Sequence, residues 1–152
     1  MTEAKKSQRL LLEPKPTEIY ITFCWQGQGE VIDVDSSVDY AGETINYINM
    51  LSRDNNISYV GNIEIVGYEF QQETFSVLLE NISEKLTISA KIFEAKKRNQ
   101  SFSRIRTFIC IHDKISGEEL IRFEFQGNNN SVITIGEVYP YNGSWKFRAI
   151  GQ

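Results

Sequence analysis

Apolar and polar residues alternate along most of this chain, which is the pattern of β-strands. In the segment Glu18–Cys24, Ile19, Ile21 and Phe23 share one side. Because successive side chains of a strand point to opposite faces, this side is expected to pack against a core. Comparable runs predict further strands at Glu30–Ser36, Ala41–Leu51, Ile57–Val66, Thr74–Leu79, Leu86–Phe93, Ser103–Ile111, Glu118–Gln126 and Val132–Tyr139.

Two segments depart from simple alternation. Within Ala41–Leu51, the residues Ile45, Ile48 and Leu51 have a helical spacing, but most of the segment consists of residue types that favour strands, so a strand is predicted. The polar segment Glu94–Gln100 is predicted to be a connection containing one helical turn. The chain is therefore expected to contain at most one or two short helical turns.

The last residues of the chain predict a β-hairpin. The pair Asn142-Gly143 readily adopts the positive φ angles of a tight turn. After the turn, Trp145, Phe147 and Ala149 alternate with two basic residues, so these three apolar side chains are expected to enter the core.

Many short strands separated only by turns predict an all-β fold, an antiparallel β-sandwich with short turns. A chain of 152 residues suits one domain with a sizeable core. Residues 1–17 are mostly polar and include Pro14 and Pro16, so they are predicted to form a partly flexible N-terminal lead. Residues 18–152 are predicted to form the sandwich domain.

The charge and hydropathy of the chain exclude some partners. Its 20 acidic and 16 basic residues give a net charge of −4, which provides no electrostatic reason to expect nucleic acid. No apolar run approaches the roughly 20 residues of a membrane span, and the N-terminus lacks a signal-peptide core. The protein is therefore predicted to be cytoplasmic, without a membrane span.

The residues with reactive side chains point to no catalytic centre. Cys24 and Cys110 lie in apolar runs and are predicted to be small buried hydrophobes rather than a disulfide. His112, the one histidine, is predicted to lie at the surface near a strand end. The chain contains no phosphate-binding glycine loop, no His-Glu-x-x-His motif and no Cys/His nucleophile pair, so no enzymatic activity is predicted.

Three stretches of the sequence resemble one known family. Gly117–Phe123 reads Gly-Glu-Glu-Leu-Ile-Arg-Phe, and the closing segment Gly136–Gln152 ends in Trp-Lys-Phe-Arg-Ala-Ile-Gly-Gln. Upstream, Trp25 follows the first clear strand and precedes an Asp-x-Asp-x-Ser pattern at Asp33–Ser37. In these features the region 18–152 is similar to the TerD-like tellurium-resistance and general stress proteins.

This resemblance implies a β-sandwich that binds calcium through an Asp-x-Asp strand and an acid-rich loop. Carried over to this sequence, the candidate metal ligands are Asp33, Asp35, Glu69 and Glu73. The segment that corresponds to the acid-rich loop, Val66–Glu73, keeps only two acids. Because calcium affinity rises with the number of carboxylates, any calcium site is expected to be weak or absent.

The predicted function rests mainly on the resemblance. It implies a non-catalytic cytoplasmic stress-response module that acts as a binding or scaffolding protein, with other stress-system proteins as partners. The alternative is a β-sandwich that binds a small ligand, a nucleotide or a sugar, without metal. The sequence leaves the oligomeric state open.

Overall fold

The computed structural model of the chain describes all 152 residues and contains twelve strands. They are β1 Thr2–Ala4, β2 Arg9–Leu11, β3 Ile19–Gly27, β4 Val34–Tyr40, β5 Glu43–Ile45, β6 Ile57–Gly61, β7 Gln71–Val77, β8 Leu86–Ile92, β9 Ile105–Asp113, β10 Glu119–Phe125, β11 Val132–Tyr141 and β12 Ser144–Ala149. The one α-helical turn, α1, spans Ala95–Arg98 in the predicted connection. No helix is long and apolar enough to cross a membrane.

The strands form two six-stranded sheets that pack face to face. The first sheet has the order β1-β10-β9-β3-β7-β6, and the second has the order β2-β12-β11-β8-β4-β5. Neighbouring strands are antiparallel, except that β1 runs parallel to β10. The predicted antiparallel β-sandwich is therefore confirmed.

One continuous apolar core fills the space between the sheets. Ile19, Ile21 and Phe23 on β3 are fully buried there, as the alternation of this strand predicted. From the second sheet, Phe147 and Trp145 belong to the same core. The inward face of the closing strand is thus confirmed.

The predicted terminal hairpin is also confirmed. β11 pairs with β12, and Tyr141 lies opposite Ser144 across the two-residue turn. Asn142 has φ 46° and Gly143 has φ 75°. Positive φ at both turn positions matches the right-handed twist of the flanking strands, which is why Asn-Gly is favoured there.

The segment predicted as an N-terminal lead supplies an edge strand to each sheet. Thr2–Ala4 pairs with Ile121–Phe123 in the first sheet, and β2 pairs with β12 in the second. Leu12, directly after β2, is fully buried in the core. The sandwich therefore includes residues before 18, while the flexibility expected for this segment stays a prediction.

The strand predicted at Glu30–Ser36 begins later, at Val34, and continues to Tyr40. The residues before it are held in a loop by hydrogen bonds outside any sheet. The indole N–H of Trp25 donates to the carbonyl of Ile32 at 3.0 Å. The backbone N–H of Phe93 donates to the carbonyl of Asp33 at 2.8 Å. Asp33 therefore precedes the strand that carries Asp35.

The strand predicted across Ala41–Leu51 is much shorter. Only Glu43–Ile45 pairs, as the second sheet's edge strand beside β4. The following loop is built on Asn46, whose side-chain oxygen accepts hydrogen bonds from the N–H groups of Ile48 and Asn49, each at 2.9 Å. This side chain competes with strand pairing and ends β5.

The outer face of the first sheet is partly covered, which sequence alternation did not predict. Cys24, Phe108 and Cys110 are buried on this face beneath Val66 and Phe70, which belong to the loop between β6 and β7. Both cysteines are free and buried, as the apolar runs around them predicted. The central strands are therefore buried on both faces.

The prediction that His112 lies at the surface is wrong. Its side chain is buried on the covered face, with Nε2 3.8 Å from a carboxylate oxygen of Glu119. Its Nδ1 atom has no hydrogen-bond partner. Burial lowers the pKa of His112; Glu119 opposes this effect, and the charge of Arg122 adds to it.

Candidate functional site

An open cleft of about 470 Å³ lies where β4, β6 and β7 meet at one end of the sandwich. Asp33, Asp35 and Glu73 all line it, so three of the four predicted metal ligands face one space. Asp33 comes from the loop before β4, whereas Asp35 and Glu73 come from strands of opposite sheets. The sandwich therefore unites acids that are up to 40 positions apart in sequence.

Glu73 is the buried member of this group and already accepts three hydrogen bonds. One carboxylate oxygen accepts hydrogen bonds from the backbone N–H and the hydroxyl of Ser36, both at 2.8 Å. The other oxygen accepts a short hydrogen bond from the hydroxyl of Tyr59. Because Ser36 lies on β4 and Tyr59 on β6, the carboxylate links the two sheets.

The electrostatics of the cleft follow from this arrangement. Burial, and then the hydrogen bond to Glu73, raise the pKa of Tyr59, so its hydroxyl remains a donor at neutral pH. The pKa of Asp35 is also raised, first by burial and then by repulsion from Asp33, while Lys91 lowers it. The charge of Asp33 therefore disfavours the ionised form of Asp35.

The structure separates Glu69 from the other three acids. Glu69 lies in the loop before β7, and its backbone carbonyl accepts a hydrogen bond from the side chain of Gln26 at 3.2 Å. Its carboxylate lies beside Gly67, and its charge acts on Arg106 of the outer face of the first sheet. The pKa of Arg106 is raised mainly by its hydrogen bond to Glu124, with Glu69 adding to the effect.

The residues of the cleft do not fit a tight calcium site. Calcium takes six to eight oxygen ligands, several of them carboxylates. No three His, Cys, Asp or Glu side chains are grouped so that they could hold a metal ion. Gln72, which also lines the cleft, uses its side-chain oxygen to accept from the N–H of Val66 at 3.1 Å. Among the acids that line the cleft, only Asp33 and Asp35 have carboxylates without a hydrogen-bond or ion-pair partner in the protein.

Two hydrogen-bond partners of Glu73 were missed by sequence reasoning. Ser36 and Tyr59 complete the hydrogen bonds of Glu73, but nothing in their local sequence distinguishes them from other strand residues. Their role comes from contacts with Glu73, which become visible only when the order of the strands is known. Alternation along β4 does place Ser36 and Asp35 on opposite faces of the strand.

Comparison with known proteins agrees with this architecture. The family model described as the TerD domain matches residues 2–152. "Tellurium resistance protein TerD" of Serratia marcescens is 24% identical over 157 residues, an alignment that covers 91% of this chain and 82% of that protein. "General stress protein 16U" of Bacillus subtilis is 30% identical over 139 residues, covering 82% of this chain and 72% of that protein. The chain therefore belongs to the TerD domain family.

Proposed function

We propose that this protein is a non-catalytic cytoplasmic binding or scaffolding module of a stress response, with other stress-system proteins as partners. The support is its family, whose named relatives include a tellurium-resistance protein and a general stress protein. These relatives align with most of the chain, so the proposal concerns the whole sandwich rather than one motif.

The partner role is tested in the organism that makes the protein. A tagged copy is cross-linked in cells before and after exposure to tellurite, and the cross-linked proteins are identified. Enrichment of other proteins of the same stress system is the expected result. Recovery of the tagged chain alone under both conditions would contradict a scaffolding role.

We also propose that any calcium in the cleft is bound only weakly. The observation that carries this part is the hydrogen bonding of Glu73, whose two oxygens are both taken by Ser36 and Tyr59. Two aspartates with neutral oxygens offer less charge to offset the dehydration of calcium. Affinity no tighter than about 10⁻⁴–10⁻³ M is therefore expected.

Calorimetric titration of chelator-stripped protein with calcium measures this affinity. The matched variant carries Asp33→Asn together with Asp35→Asn, which removes both free charges and keeps the side-chain shape. Wild type is expected to bind in the range given above or not at all. Micromolar binding that disappears in the variant would show that Glu73 leaves its partners to bind calcium.

The second candidate function is binding of a small ligand without metal. The observation that favours it is a second, smaller pocket of about 170 Å³, separate from the bulk of the cleft. This pocket lies on the outer face of the second sheet, against the loop that follows β5.

A further inference from the structure

The floor of the smaller pocket consists of four polar side chains from two neighbouring strands. In the register of β4 and β8, Asp35 lies opposite Lys91, and Ser37 lies opposite Ser89. Positions two apart on a strand share a face, so all four belong to the outer face of the second sheet. They form two adjacent rows of one polar patch, and all four line the pocket.

These four side chains are free to bind a ligand. The eight ion pairs of the protein involve other residues, so neither Asp35 nor Lys91 has a charged partner within 4 Å. Ser37 and Ser89 each carry a hydroxyl that both donates and accepts hydrogen bonds. The floor therefore offers an acid, a base and two hydroxyls.

The wall of the pocket is the loop after β5, and it is held in place by its own hydrogen bonds. In addition to the two bonds accepted by the Asn46 side chain, the side-chain amide of Asn49 donates to the carbonyl of Thr44 at 2.9 Å. These hydrogen bonds hold Tyr47 and Ile48 at the surface, where 49% and 75% of their surfaces are exposed. A preformed apolar wall thus stands beside a polar floor.

From this pocket we propose that the protein binds a neutral polyhydroxylated molecule the size of one monosaccharide; the inference rests on the second candidate function. A carboxylate accepts hydrogen bonds from neighbouring hydroxyls, while an ammonium and serine hydroxyls donate to them. The C–H face of a sugar ring packs against Tyr47 and Ile48. Asp35 and Lys91 cancel in charge, so the floor favours a neutral ligand over an anion such as a phosphate.

The volume of the pocket supports the same ligand class. Sites for drug-sized ligands have volumes of about 300–1,000 Å³. At about 170 Å³, this pocket takes a smaller molecule, one sugar ring rather than a nucleotide. Binding of a single neutral ring in an open site is expected to have a millimolar Kd, because the ring has few atoms and its hydroxyls must give up water to bind.

Amide chemical-shift mapping by NMR tests the proposal. Glucose, galactose, mannose and myo-inositol are each titrated to about 50 mM, a range set by the low affinity expected for so small a ligand. At least one is expected to shift resonances of Ser37, Ser89 and residues 46–48 in a saturable way. If none of the four does so, or if the shifts map to another surface, the proposal is wrong.

Matched hydroxyl truncations locate the site. Ser89→Ala removes a floor hydroxyl, whereas Thr87→Ala removes a hydroxyl two positions earlier on the same strand and face, outside the pocket. Ser89→Ala is expected to weaken binding about tenfold, the loss of one hydrogen bond, and Thr87→Ala to leave it unchanged. Equal effects of the two would overturn the assignment.

Asp35 lines both this pocket and the calcium cleft, so the control that separates the two sites is made at Asp33. Asp33 lines the cleft and not this pocket, so Asp33→Asn is expected to leave the sugar response intact. A sugar response that requires calcium or disappears in Asp33→Asn would move the ligand to the cleft and overturn this proposal. Absence of sugar binding would leave the calcium titration and the partner experiment unaffected.

Discussion

Glu73 shows at the level of one residue how a possible metal ligand becomes part of the folded core. A carboxylate buried without partners is costly, because it loses its hydration. Three donors from Ser36 and Tyr59 replace the lost water molecules. These donors come from strands of both sheets, so the hydrogen-bonded carboxylate joins the two sheets and stabilises the sandwich.

The stabilising role of this carboxylate predicts that Tyr59→Phe lowers the free energy of unfolding. The hydroxyl donates to a charged, buried acceptor, and loss of such a bond costs about 1.5–3 kcal/mol. Chemical denaturation measures the change. Tyr68→Phe is the matched control, because Tyr68 lies on the same cleft but is 86% exposed. Equal denaturation midpoints for both variants would mean that Glu73 is not held by Tyr59.

His112 predicts that stability depends on pH. Its pKa in the folded state is lowered by burial below the ordinary value of 6.5, so the unfolded chain binds the proton more readily. Stability is therefore present above that value and is lost as the pH falls below it. The variant His112→Gln cannot titrate there. Denaturation at several pH values is expected to show a steeper acid loss for wild type than for the variant.

The pH dependence of stability can be assigned to His112 because the chain contains one histidine. Glu119, the carboxylate nearest to it, has a lowered pKa; burial raises this pKa, but the hydrogen bond from Arg122 and the charges of Arg122 and His112 outweigh that effect. Glu119 therefore does not titrate in the same window. Identical pH profiles of wild type and His112→Gln would show that the imidazole is hydrated rather than buried.

The N-terminal strands matter at the level of elements, because they form one edge strand of each sheet. An uncovered sheet edge exposes unpaired backbone groups that pair with other chains. β1 pairs with β10 and β2 pairs with β12, and each is only three residues long, so the exposed edge on this side of each sheet is short. Leu12 then anchors this segment in the core.

Two adjacent leucines provide a matched test of that anchor. Leu12 is fully buried, whereas Leu11 is 38% exposed. Leu12→Ala is expected to lower the free energy of unfolding by about 2–5 kcal/mol, the usual cost of a large-to-small change in a core. Leu11→Ala is expected to cost about 0.5 kcal/mol or less. Similar midpoints in thermal denaturation would indicate that the lead detaches from the sandwich.

The existence of the strands was more predictable than their ends. Every segment predicted as a strand contains one: alternation located most of them, because it reflects which residues enter the core, and residue type located the strand within Ala41–Leu51. The start of β4 depends on a hydrogen bond that Trp25 donates, and the end of β5 depends on one that the side chain of Asn46 accepts. The first of these joins separate segments, and the second is a local bond that competes with pairing. Neither changes the alternation of the neighbouring residues.

At the level of the whole molecule, the order of the strands decides which residues meet. β4 and β7 belong to different sheets but lie at the same end of the sandwich, where Ser36 reaches Glu73. The same topology turns Asp35 toward the outer face of the second sheet beside Lys91, whereas the charge of Glu69 acts on Arg106 of the first sheet. The four acids that were predicted to bind one metal ion therefore occupy different environments.

The sequence by itself determined the all-β sandwich, the inward faces of β3 and β12, the terminal turn and the family. These properties depend on alternation, on turn chemistry and on motifs, all of which are local in the chain. Only the tertiary structure decided that Glu73 is bonded to Ser36 and Tyr59, that His112 is buried, and that Asp35 and Lys91 share a pocket floor. Each of these depends on which residues from distant segments approach within a few ångströms, and hydrogen bonding and burial act only over that range.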